Sequence, residues 1–412
     1  MRILWVKADK LLPVQNGGNI RSFHIQRYLA LHHDLTFYSY YGGEPDPAYE
    51  QELGRQFPGA VAVCTGKKDP SGAARGMDYL KHLGGEAPYA VGRFAHAGVQ
   101  RQLKQWFVEH RFDVAVCDFL DAAVNFPEHL TIPSVLFQHN VESEIWRRHA
   151  DTAGNPVKKA MYRMEFRKMV RYEAAAVRRF RHVIAVSEND RALMGRWVDS
   201  ERIAVVPTGV DLRQYAPEPS AGEPGPLVSF VGAMDWEPNA DGVDYFCGEV
   251  WPAITAEVPD AKFRIVGRNP GKRVLRWASP SVQITGLVPS VVEHLRQSAV
   301  VVVPLRIGGG TRLKIYEAMA TGKAVVSTTV GAEGLEVQHG RDIILADDAH
   351  ALAQAVVMLL RDRSLRQRYE RAAAETAARH DWPAIGEQFG EVLQAVSEKE
   401  PRDAGAVPAR TA

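Results

Sequence analysis

The chain has 412 residues, enough for two or three domains at about 150 residues each. Its 50 Lys plus Arg against 49 Asp plus Glu leave a net charge of +1, which argues against nucleic acid as the main partner. Three scattered cysteines, Cys64, Cys117 and Cys247, form no C-x-x-C pair, so neither a disulfide framework nor a cysteine zinc site is expected. No apolar run reaches the roughly 18 residues of a membrane span, and the start Arg2–Lys7 has no cleavable-signal pattern. A cytoplasmic protein is expected.

Short apolar, β-branched runs alternate with longer helical stretches along almost the whole chain. In the first half the expected strands are Ile3–Val6, Leu35–Tyr40, Val114–Cys117, Ser134–Gln138, Val183–Val186 and Ile203–Val206. In the second they are Val228–Val231, Phe263–Val266, Val282–Thr285, Val300–Pro304, Val325–Ser327 and Ile343–Leu345. Unbroken apolar runs of this kind mark parallel strands covered on both faces, so two doubly wound α/β domains follow. The expected order is a first domain over 1–210, a linker over 211–226 rich in Pro, Gly and Glu, and a second domain over 227–380. A helix over 381–398 and a disordered tail over 399–412 complete it. Ligands of such sheets bind at the carboxyl ends of the strands, so motifs at strand-to-helix turns carry most weight.

The most informative turn runs Val303-Pro304-Leu305-Arg306-Ile307-Gly308-Gly309-Gly310-Thr311-Arg312-Leu313-Lys314 and on to Gly322. A buried strand enters three glycines, Thr311 stands as N-cap, and a helix follows that Gly322 closes. Leu313, Ile315, Tyr316, Met319 and Ala320 share its apolar side; Lys314, Glu317 and Thr321 share the other. Arg312 and Lys314 oppose the positive end of the helix dipole by roughly 0.3–1 kcal/mol each, with no nearby acid to offset them. An anion resolves the conflict: loop amides, helix start and two cations make a phosphate site. Glu317, one turn on, is placed to accept two sugar hydroxyls. No Walker loop occurs, and Gln15-Asn16-Gly17-Gly18-Asn19 is not a dinucleotide fingerprint.

The run Glu317-Ala318-Met319-Ala320-Thr321-Gly322-Lys323-Ala324-Val325-Val326 resembles the nucleotide-sugar site of glycosyltransferase family 4, retaining enzymes of the GT-B fold. The resemblance implies two Rossmann-like domains facing a cleft, with the C-terminal helix packing back on the first. It implies that Glu317 holds the ribose hydroxyls of the donor and that Arg312 and Lys314, with Gly309, Gly310 and Thr311, hold its diphosphate. Gly309 stands where the family's E-x7-E pattern has its first acid. Gly286 and Leu287 match the base-binding edge, Gly17 and Gly18 the first-domain loop near the donor phosphate, and His139 a sugar contact; His139, Arg312 and Lys314 thereby take the catalytic roles. In Gly232-Ala233-Met234-Asp235-Trp236-Glu237-Pro238-Asn239, Ala233 and Asn239 stand where most members have cations, and Arg312 and Lys314 supply the missing charge. The M-D-W-x-P-N form is similar to a subgroup associated with bacterial exopolysaccharide synthesis. Trp236 alone reads as a packing residue.

The expected activity is transfer of a sugar from a nucleotide sugar, UDP or GDP favoured, to an acceptor hydroxyl. No D-x-D triad is present, so neither metal nor cofactor is expected. A nucleotide-sugar epimerase or isomerase and a non-catalytic nucleotide-sugar-binding subunit remain as alternatives. The stretch 158–181 is locally basic, with only Glu165 and Glu173 against its Lys and Arg residues. It reads as a solvated face or as a contact with an anionic membrane that carries a lipid-linked acceptor.

Overall fold

The computed structural model describes residues 1–14, 16–67, 77–79, 84–85, 87–217, 225–307 and 312–398. The chain forms two compact units, one of Met1–Val206 together with the chain from Gly386 onward, the other of Pro207–Ile385.

The first unit is built on seven parallel strands: β1 (Arg2–Ala8), β2 (Asp34–Tyr41), β3 (Val61–Cys64), β4 (Val114–Asp118), β5 (Ser134–Phe137), β6 (His182–Ala185) and β7 (Ile203–Val205). Their order is β3-β2-β1-β4-β5-β6-β7, with β1 in register Trp5↔Phe37 on one side and Trp5↔Val116 on the other. The central strands have no solvated face, so Ile3 to Val6 and Val114 to Cys117 are fully buried, which is why they read as continuous apolar runs. Strand β3 escapes that reading. It is a four-residue edge strand with half-exposed side chains, inside a segment that reads as irregular loop. The same segment holds the helix Pro47–Gln56, capped by the Asp46 side chain.

The second unit carries six parallel strands: β8 (Leu227–Val231), β9 (Lys262–Val266), β10 (Val282–Ile284), β11 (Val300–Val303), β12 (Ala324–Ser327) and β13 (Ile344–Leu345). Their order is β10-β9-β8-β11-β12-β13, and the all-valine β11 is buried at its centre. The chain passes between units at Val206, before the expected linker. Val210 donates to the His380 carbonyl at 2.7 Å and Tyr215 is buried in the second core. Trp382 covers Gly209, where a Cβ would stand 2.5 Å from the indole. The last helix, Trp382–Glu398, then enters the first unit, where the Phe389 ring lies 5.3 Å from that of Trp5 and 5.0 Å from that of Phe137. The expected tail 399–412 lies outside the described residues.

Three non-glycine residues just past strand carboxyl ends adopt positive φ: Asp9 (75°) after β1, Phe119 (68°) after β4 and Asn269 (55°) after β9. Such conformations cost about 1–3 kcal/mol each and persist where surrounding packing over-determines them. No helix among the described residues is long and apolar enough to cross a membrane.

Candidate functional site

In the first unit the carboxyl ends of β1, β4 and β5 converge on Asp118. This buried carboxylate accepts from Trp5 Nε1 at 3.1 Å, Ser22 Oγ at 3.0 Å and His139 Nε2 at 2.7 Å, with Lys7 Nζ 3.7 Å away. Burial alone would raise its pKa, but Lys7 and the bonds from His139 and Trp5 outweigh that and hold it at about 2. The Arg21 guanidinium, which can only donate, lies 2.8 Å from His139 Nδ1. Nδ1 therefore accepts, and the ring proton sits on Nε2, facing Asp118. Burial, assisted by the charges of Arg21 and Lys7, pushes the imidazole down to about 3 against the pull of Asp118. The ring stacks on Phe119 at 3.6 Å and is 2% exposed.

His139, expected to contact a sugar, has both ring nitrogens engaged within the protein. Gly17 and Gly18 likewise differ from expectation: they are not a loop but the first residues of the helix Gly17–His32, capped by the Asn16 side chain. A Cβ on Gly18 would stand 2.3 Å from Phe119 Cζ, so glycine there serves the aromatic packing. Phe119, held in its strained conformation between Gly18 and His139, is a residue that sequence reasoning missed.

The next helix of this unit, Glu142–Thr152, has its first-turn amides filled from within the protein. Glu173 Oε1 accepts from the Glu142 amide at 2.8 Å and Glu173 Oε2 from the Ser143 amide at 3.0 Å. An internal carboxylate takes the place that an anionic ligand could occupy.

The second unit is arranged differently. The helix Leu313–Ala320 follows β11 with Arg312, rather than Thr311, as its N-cap residue; no side-chain cap bond is made and no acid stands in the first turn. It closes in a Schellman motif, with Gly322 at φ 70° donating to the Met319 carbonyl and Lys323 donating to that of Ala318. Thr321, expected on the polar side, is buried and donates to Ala318. Lys314 Nζ donates to Asn239 Oδ1 at 2.8 Å and lies 4.5 Å from the Phe230 ring centre. It rests on the turn after β8: a Cβ on Gly232 would stand 2.8 Å from Nζ. Burial first, and then the charge of Arg312, pulls Lys314 down to about 7, with Glu317 opposing. Arg312 is 4% exposed and faces the Trp236 ring at 5.6 Å. Trp236, expected in packing, is 40% exposed.

Glu317 is raised by burial, against the hydrogen bond it receives from the Tyr215 hydroxyl and the charge of Lys314. Tyr215 comes from the segment expected as a linker. Gly232, Gly267 and Gly286 step across the ends of β8, β9 and β10. Gly232 donates to the Val266 carbonyl at 2.9 Å and Gly267 to that of Gly286 at 3.2 Å. At φ 154°, a Cβ on Gly267 would fall 1.7 Å from the Gly232 carbonyl oxygen, so no other residue fits there. Gly267 went unnoticed in the sequence, though its place directly after a strand was the available signal. Leu287, beside Gly286, is 80% exposed.

The structure therefore gathers Arg312, Lys314 and Glu317 at one place, and Gly18 and His139 at another in the other unit. Gly309, Gly310 and Thr311 lie outside the described residues. No group of three or more His, Cys, Asp or Glu side chains suited to a metal ion occurs among the described residues.

Residues 16–214 match the domain family described as Glycosyltransferase Family 4, and residues 225–362 match Glycosyl transferases group 1. A phosphatidyl-myo-inositol mannosyltransferase of Mycobacterium leprae is 30% identical over 52% of this chain, which spans 59% of that relative's length. The protein of that name in Mycolicibacterium smegmatis is 27% identical over 74% of this chain and 76% of its own. Among solved structures, HepE of Anabaena in complex with UDP superposes with TM-score 0.66 at 16% identity, covering 96% of this chain and all of that one. TarM superposes with TM-score 0.68 at 12% identity, covering 95% and 99%. At such identities the likeness establishes a GT-B architecture of two parallel-sheet α/β domains.

The buried neutral His139 makes stability depend on pH. Between the unfolded pKa of 6.5 and the folded value of about 3, the unfolded chain binds a proton that the folded chain excludes. Stability is full above that window and falls as the pH drops through it, by up to about 1.4 kcal/mol per pH unit. His139→Gln should flatten the decline of the thermal midpoint between pH 6.5 and 4.5. An unchanged slope would show that His139 is not held neutral.

Proposed function

The chain belongs to glycosyltransferase family 4, and on that premise we propose that it moves a sugar from a nucleoside-diphosphate sugar to an acceptor hydroxyl with retention. The observation that carries this reading is the placement of Lys314 and Arg312, two cations side by side at a helix start with no acid in its first turn. A diphosphate offsets both the mutual repulsion and the unfavourable dipole, and it keeps Lys314 charged. As the sugar leaves, charge builds on the outer phosphate, where these preorganised groups stabilise it without a metal ion. Glu317, oriented by Tyr215, has carboxylate lone pairs left for the ribose hydroxyls. The open turn at Gly286 and Leu287 provides the edge for the base. UDP-bound HepE and the relatives' mannosyltransferase names support a nucleotide-sugar donor.

The acceptor on this reading is carried at an anionic membrane surface, as in bacterial polysaccharide or glycoconjugate synthesis. The helix Pro156–Arg179 exposes Lys158, Arg163, Arg167 and Arg171, while its two acids, Glu165 and Glu173, are buried. Glu165 accepts from the Tyr89 amide at 2.9 Å and Glu173 from the amides named above, so the outer face of this helix carries cations and no acid. Each such residue adds up to about 1 kcal/mol of attraction to an anionic surface. Cosedimentation with phosphatidylglycerol vesicles should fall at least tenfold for a variant carrying Arg163→Glu, Arg167→Glu and Arg171→Glu. Equal sedimentation of variant and wild type would leave this face solvated only.

Competition binding of UDP, dUDP, GDP and dTDP tests the donor site. A ribose hydroxyl bonded to a carboxylate contributes roughly 1.5–3 kcal/mol, so a ribonucleotide should bind at least tenfold tighter than its deoxy form. Lys314→Ala and Arg312→Ala should each weaken binding severely while the fold survives, and a chelator should leave transfer intact. Equal ribo and deoxy affinities would remove Glu317 from the ribose. Complete loss with chelator, restored by Mg²⁺ or Mn²⁺, would contradict a metal-free mechanism. Slow hydrolysis of the donor without acceptor separates the enzyme from a non-catalytic binder.

A further inference from the structure

We propose that Asn239 is a positioning residue, whose side-chain amide holds the Lys314 ammonium on the Gly232 turn and thereby sets the pH range over which the donor diphosphate is bound. This inference rests on the donor site described above.

The amide is itself fixed. Asn239 is 3% exposed, its Nδ2 donates to the Ala233 carbonyl at 2.8 Å, and its Oδ1 accepts from Lys314 Nζ at 2.8 Å. Beneath the ammonium lie the Phe230 ring and Gly232, where a Cβ would come within 2.6 Å of the Asn239 amide nitrogen as well as 2.8 Å of Nζ. Glycine at 232, phenylalanine at 230 and asparagine at 239 together form the seat of Nζ. A carboxylate at 239 would neutralise the ammonium, and a second cation would repel it. A neutral amide orients the charge without cancelling it, so the charge stays available to an anion.

The charged groups facing Lys314 are few. Arg312 precedes it on the run into its helix, and Glu317 lies one turn on, bonded by Tyr215. From the helix Glu237–Tyr245 the facing group is the neutral Asn239, from β8 the uncharged Phe230, and from the turn after it Gly232. In this setting the ammonium gives up its proton near neutrality. A bound diphosphate favours the charged form, so binding draws a proton onto Lys314. Affinity is then greatest below pH 7 and falls as the pH rises above it, by at most tenfold per unit.

The test reads Lys314 directly and then through UDP. In protein carrying ¹³Cε-lysine, with the signal assigned by its loss in Lys314→Ala, Lys314 of the ligand-free wild type should titrate near neutrality. Asn239→Asp should move that titration upward by at least one pH unit, because a carboxylate now faces the ammonium. Asn239→Ala should move it downward, because the charged form loses its acceptor. A merely structural role would leave the titration unmoved in both or shift both the same way, and either result overturns the inference.

With UDP as probe, wild-type affinity should fall at least threefold from pH 7 to 9. Asn239→Asp should bind at least tenfold more weakly at pH 7 and decline less steeply than the wild type from there to pH 9. A variant with the wild-type slope also overturns the inference. Absence of UDP binding by the wild type would instead count against the donor reading, and the ligand-free titration would then decide the role of Asn239 by itself.

Discussion

The second unit depends on one placement: an ammonium group seated against a glycine turn, beside an arginine, at the start of a helix. Lys314 can occupy that seat only because Gly232 has no side chain, and Gly232 can approach β9 so closely only because Gly267 has none. Gly232 and Gly267, at the ends of β8 and β9, are thus a steric condition for the charge. Burial and Arg312 together leave Lys314 close to losing its proton, a state that an anion relieves.

The first unit resolves the same problem from inside. At its strand ends Lys7 lies beside Asp118, Arg21 faces the charges of Asp190 and Asp118, and the following helix start is filled by Glu173. Two similar parallel sheets therefore end in opposite electrostatic states. One set of strand ends brings a carboxylate to its cations, and the other sets two cations side by side at a helix start with no acid in its first turn. That difference, rather than the shared architecture, is what supports placing the proposed diphosphate in the second unit.

Much of this was legible in the sequence because it depended on local pattern. The buried strands are readable as apolar runs, and the conflict of Arg312 and Lys314 with the helix dipole is visible in the sequence alone. What stayed hidden depended on contacts between residues far apart in the chain. Tyr215 looked like part of a linker, yet it bonds Glu317, which lies a hundred residues later in the sequence. Nothing local shows that Asp118 and Arg21 engage both ring nitrogens of His139. Gly18 looked like a loop glycine, because the partner that requires it, Phe119, is known only from packing. Strand β3 was too short and too exposed to stand out from the loops around it.

The central claim is that the donor's diphosphate sits on Lys314 and Arg312 in the second unit. A crystal structure of the protein with UDP tests this most directly. The account predicts phosphate oxygens within hydrogen-bonding distance of Lys314 Nζ and the Arg312 guanidinium, with the ribose hydroxyls on Glu317. A diphosphate bound elsewhere, with Lys314 still donating only to Asn239, would contradict it.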